Sequence, residues 1–108
     1  MKHLWIVGLM ALSLAAQETP AQRDARHHFD LAAIRAAANF RSADSIDARL
    51  QKDGHVLHPQ LTALRMRVEA ALSEARLEMD QHDYPLAEDA LTRADALLDR
   101  FAKEIGGY

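Results

Sequence analysis

Histidine supplies the most chemically suggestive residues of this chain. His27 and His28 stand together with Asp30 close by, and His55 and His58 bracket a short apolar pair. Neutral imidazole and carboxylate are ligands for zinc, copper or nickel. Two histidines on one helix converge on a metal when they are four residues apart, and that spacing does not occur here. His27 and His28 diverge by about 100° around a helix. His55 and His58 could converge in a loop, but they supply two ligands where a zinc site needs three or four. These histidines are expected to be solvent-facing groups and one helix cap, and no metal ligand is assigned.

Haem chemistry would need an inward-facing His or Met as axial ligand. Met79 falls on an apolar stripe and His28 beside another, but a Met on such a stripe is ordinarily core filler. No cofactor is assigned. Ser42, Ser45 and Ser73 lack the context of a nucleophile elbow, and there is no Gly-rich phosphate loop. The acidic residues fall on polar helix faces, where charges are usually just solvated. The chain has no cysteine, which removes disulfides, thiol catalysis, Cys-based zinc sites and covalent haem attachment. No catalytic residue is assigned, and the chain is not expected to be an enzyme. The formal net charge of −3 leaves no basic footprint, so no nucleic-acid partner is expected.

The first residues resemble an address rather than a structural element. Lys2 and His3 precede the apolar run Leu4–Leu14, and Ser13-Leu14-Ala15 provides small residues at positions −3 and −1 of a cleavage site. Residues 1–15 are predicted to be a signal peptide cleaved after Ala15, with Thr19-Pro20-Ala21 as a second small-x-small triplet. The run is short of the roughly 20 apolar residues that span a bilayer, so no stable membrane span is expected after cleavage. The implied location is a bacterial periplasm or the extracellular space.

Residues 16–108 are predicted to form a single all-α domain, since Ala is abundant and aromatics scarce. Four helices are expected, at about 20–38, 40–52, 59–81 and 83–104. Thr19 suits an N-cap, with Pro20 as first helical residue. Phe29, Ala32, Ala33, Ala36 and Phe40 form one stripe, and Leu31, Ile34 and Ala38 form an adjacent one. Asn39 is taken as a break and the next N-cap. Asp53-Gly54 stops the second segment, whose stripe is Ala43, Ile46 and Leu50. Val56 and Leu57 are expected to tuck the following loop against the core.

Pro59 opens the third helix, whose stripe runs Leu61, Leu64, Val68, Ala71, Leu72, Ala75 and Met79. The fourth is the clearest amphipathic helix: Ala87, Ala90, Leu91, Ala94, Leu97, Leu98 and Phe101 share one side, and Glu88, Asp89, Arg93, Asp95 and Arg100 the other. Asp83 can cap it, and Pro85 falls in its first turn. Asp89 with Arg93 and Asp99 with Lys103 are spaced as i,i+4 pairs. The turn at His82-Asp83-Tyr84 is too short for anything but antiparallel packing. Laying Asn39-Phe40-Arg41-Ser42-Ala43 over Asp83-Tyr84-Pro85-Leu86-Ala87 suggests two hairpins of similar design.

The stretch Ala71–Leu98 resembles a tetratricopeptide-type helical hairpin. Ala75 takes the small position of that family's first helix, His82-Asp83-Tyr84 its Gly-Asp-Tyr-like turn, and Ala87 and Ala94 the small pair of its second helix. His82 departs from the pattern where Gly is usual, and Asp47 stands where a first hairpin would need a large apolar residue. The resemblance implies a protein-interaction scaffold without catalysis.

The expected architecture is therefore two antiparallel hairpins, packed as a small four-helix bundle or a short tetratricopeptide-like solenoid behind a signal peptide. The leading functional expectation is an exported non-catalytic module that binds a protein or peptide partner. The candidate surface is the surplus apolar stripe Leu31, Ile34 and Ala38. Two alternatives stay open: a metal- or haem-binding small bundle, and a structural protein that self-associates as a homo-oligomer.

Overall fold

The computed structural model describes residues 18–108, so the predicted leader and its cleavage site lie outside the described residues. Those residues form three α-helices: α1 (Pro20–Lys52), α2 (Pro59–Asp80) and α3 (Tyr84–Ile105). α1 has 33 residues and the other two have 22 each, or about 50 Å and 33 Å at the helical rise.

The expectation of four helices in two hairpins is corrected to three helices. Residues 20–52 are one uninterrupted helix, and Asn39 neither breaks nor caps it. After Pro20 this stretch contains no Gly or Pro. Its inward stripe of Ala25, Phe29, Ala32, Ala36, Phe40 and Ala43 keeps the three-four rhythm straight through position 39. Asn in a helix interior costs no more than about 0.7 kcal/mol relative to Ala. Continuing the stripe outweighs that cost. Ser42 stays within the helix by donating to the Ala38 carbonyl at 3.2 Å. The similarity of Asn39-Phe40 to Asp83-Tyr84 is thus confined to sequence, because only the second pair sits at a junction.

The helix starts follow the sequence closely. Thr19 Oγ1 accepts from the Gln22 amide at 3.1 Å, His58 Nδ1 from the Gln60 amide at 3.3 Å, and Asp83 Oδ1 from the Leu86 amide at 3.2 Å. Each cap satisfies an amide that the first turn leaves without a partner, and each is followed by a Pro in that turn. After α1, Gly54 takes φ +76°, the left-handed conformation glycine adopts without strain. In the loop beyond it, Leu57 packs against the core while Val56 is 75 % exposed. Only one of the two residues expected to tuck inward does so.

α2 runs antiparallel to both of its neighbours, and the core is stacked in three levels. Ala32, Ala75, Ala90 and Leu91 meet at one end. Ala36, Val68 and Leu98 meet in the middle, and Ala43, Leu61, Leu64 and Phe101 at the other end. α2 and α3 share the most extensive contact, as expected for helices joined by so short a turn. The Phe40 and Phe101 rings meet edge to face, with centroids 5.4 Å apart at 77°. The Arg65 guanidinium covers the outer side of Phe40 at 4.5 Å. Among the described residues, no helix is long and apolar enough to cross a membrane.

Candidate functional site

α1 presents a second apolar face to solvent. Its core-facing alanines are buried, while Leu31 is 54 % and Ile34 67 % exposed; Ala38 is exposed as well. The helical period places these three residues opposite Ala25, Ala32, Ala36 and Ala43. No separate second helix covers this stripe, because residues 40–52 continue α1 itself. His27, Asp30 and Arg41 flank the patch and are exposed.

A polar seam lies between α1 and α3. His28 reaches across with both ring nitrogens: Nδ1 is 2.6 Å from Glu88 Oε2 and Nε2 is 2.7 Å from Asp95 Oδ2. One heptad further along α1, Arg35 pairs with Asp99 of α3. A neutral imidazole carries only one N–H, so it can donate to only one of two carboxylates. The protonated ring donates to both, and this is the form the geometry favours. Burial works against that charge, but the hydrogen bonds to Asp95 and Glu88, with the attraction of both carboxylates, raise the His28 pKa above its ordinary value.

The remaining histidines do not assemble. His27 and His55 are exposed, and His58 is occupied as the α2 cap while its backbone amide donates to the Tyr108 hydroxyl at 2.8 Å. Among the described residues, no group of three or more His, Asp or Glu side chains is arranged to hold a metal ion. Met79 is half-buried at the end of the α2 stripe. Two expected i,i+4 pairs are also rearranged. Arg93 pairs with Glu74 of α2 at 2.9 Å, and Asp99 turns to Arg35. Cross-helix partners replace local ones.

A shallow groove of about 440 Å³ runs between α2 and α3, and no α1 residue lines it. Its floor is Ala70, Ala71, Ala96 and Leu97, and Arg67, Arg93 and Arg100 stand on its rim with Glu74. Nothing in it combines a nucleophile with a base.

Leu31, Ile34 and Ala38 are exposed, and the His28 seam was not expected from the sequence. The signal for the seam was present as spacing: His28 and Arg35 are one heptad apart on α1, as are Glu88 and Asp95 on α3. Such a match only gains meaning once α1 and α3 are known to lie side by side. No family model, curated protein or solved structure matches this chain.

Proposed function

We propose that this protein is a non-catalytic helical interaction module that binds a protein or peptide partner through the outward face of α1. The observation that carries the reading is the exposure of Leu31 and Ile34 on a face that the bundle does not use. Contiguous exposed apolar side chains with a polar rim are the usual mark of an interaction site. Ala38 adds a small surface over which a partner's side chain can lie. The resemblance of the Ala71–Leu98 sequence to a tetratricopeptide-type hairpin, itself part of this proposal, points the same way. Ala75, Ala87 and Ala94 are fully buried, as close helix packing in a scaffold hairpin requires.

A photo-crosslinking side chain installed at Ile34 should yield one discrete adduct in the cell that makes the protein. The adduct should disappear when Leu31 is also changed to Asp and should not form from Gln51, which is exposed elsewhere on α1. Equal labelling from both positions would sink the assignment of this face.

We also infer that the partner is met outside the cytoplasm, in a bacterial periplasm or beyond. The support is the pattern of residues 1–15: a short positive start, an apolar run and a small-x-small site. Amino-terminal sequencing of the protein recovered from its producing cell should begin at Ala16.

A further inference from the structure

α2 carries two apolar seams. One, through Leu61, Leu64, Val68, Ala71 and Ala75, is buried in the bundle. The other runs Ala63, Met66, Ala70, Ser73 and Leu77 along the outside, with Met66 65 % and Leu77 54 % exposed. The outer seam alternates steps of three and four, the spacing of a helix that pairs with another along a narrow line. Arg67 and Glu74 flank it on one side, and Glu69 and Arg76 on the other.

We propose that the protein dimerises through this outer seam, as an antiparallel α2–α2 pair about a two-fold axis. This inference is independent of the α1 face. In such a pair Met66 packs on Leu77 of the second copy, and Ala70 on Ser73 of the second copy, each contact occurring twice by symmetry. Large residues close the two ends of the seam, and small residues at its centre let the backbones come near. The flanks match in the same register. Arg67 meets Glu74 of the second copy and Glu69 meets Arg76 of the second copy, so all four flanking pairs are of opposite sign.

The alternatives are disfavoured by the same charges. Sliding the antiparallel pair by one heptad toward the start of α2 sets Arg67 against Arg67 of the second copy and Glu69 against Glu69 of the second copy. It also moves Leu77 to the very end of the overlap, opposite Pro59 of the second copy. A parallel pair brings Glu69 beside Glu74 of the second copy. A seam that is complementary to itself in one register and repulsive in the others specifies its partner as well as its geometry. Among the described residues Arg67 has no ion-pair partner, whereas Glu74 is held by Arg93. The dimer gives Arg67 its partner and lets Glu74 serve two guanidinium groups.

Sedimentation velocity on the protein recovered from its producing cell tests this. The native chain should shift from monomer to dimer as concentration rises through the micromolar range. Met66→Glu should be monomeric there with its helical circular dichroism unchanged, because the side chain is exposed in the monomer. Arg67→Glu and Glu74→Arg should each weaken self-association by about tenfold or more, since each makes two flanking pairs repulsive. An equimolar mixture of those two variants should dimerise again, because the charges then match across the two-fold. Ile34→Glu should leave the dimer intact. A native chain that stays monomeric would overturn the proposal. So would a Met66→Glu chain that dimerises as well as the native one, or a mixture that associates no better than its components.

Discussion

Nε2 of His28 lies 2.7 Å from Oδ2 of Asp95, while the other ring nitrogen engages Glu88. The clamp ties the first third of α1 to two carboxylates one heptad apart on one face of α3 and depends on the ring's charge. The folded pKa is raised above an unfolded value of about 6.5. The stabilisation is therefore fully present below about pH 6.5 and is lost as pH rises through the folded pKa. His28→Gln should destabilise by about 1 kcal/mol near pH 6, a modest figure because the carboxylates are partly solvated. The difference should shrink toward zero in alkaline solution, beyond the raised pKa. Urea unfolding of both chains at the two pH values measures it, and a pH-independent difference would show that the ring is not charged in the fold.

The alanine contacts set a tight packing limit. Ala32, Ala75 and Ala90 meet with Leu91 at one level of the core, and Ala75 is fully buried. Ala75→Leu should force α1 away from the hairpin and destabilise by roughly 1–3 kcal/mol. The same change at exposed Ala102 should be near neutral. Thermal unfolding of the two variants separates overpacking from a general effect of Leu.

The turn between α2 and α3 contains a strained residue. His82 adopts φ +60°, where a side chain costs about 1–2 kcal/mol and glycine is at ease. Its Nδ1 contacts the Tyr84 hydroxyl at 2.8 Å, an exposed interaction that returns only part of that cost. His82→Gly should therefore stabilise by about 1 kcal/mol, and His82→Val should destabilise because a branched side chain fits this conformation worst. Loss of stability in the glycine variant would show that the Tyr84 contact outweighs the strain.

Asn39 holds an amide nitrogen that is buried without a hydrogen-bond partner among the described residues. Asn39→Ala removes that group and improves helix propensity, so it should stabilise by about 1 kcal/mol. Chemical denaturation checks the sign. A loss of similar size would show that the amide is satisfied in solution.

What the sequence made legible followed local rules. The α2–α3 hairpin was readable because Pro59, Asp83 and Pro85 punctuate two clean stripes. The caps at Thr19, His58 and Asp83 needed no tertiary knowledge. The break placed at Asn39 failed because a polar residue inside a helix looks like a boundary until the stripe on either side is known to face one continuous neighbour. The left-handed backbone at His82 was not legible, because that conformation favours glycine and nothing local marks a histidine for it. The His28 clamp was not legible, since its members lie far apart in sequence and meet only through the packing of α1 beside α3.

α1 brings only alanine to the fully buried core, at Ala25, Ala32, Ala36 and Ala43, whereas among the described residues every larger fully buried side chain belongs to α2 or α3. The hairpin thus owns most of the apolar volume, and α1 is held by its half-buried phenylalanines and a charged seam. Stability is then graded along the chain: partial opening should release the first helix as a unit while the hairpin stays folded. Amide protons of α1 should exchange sooner than those of α2 and α3. Raising the pH past the His28 titration should widen that gap, so that acidity sets how often the first helix leaves its place.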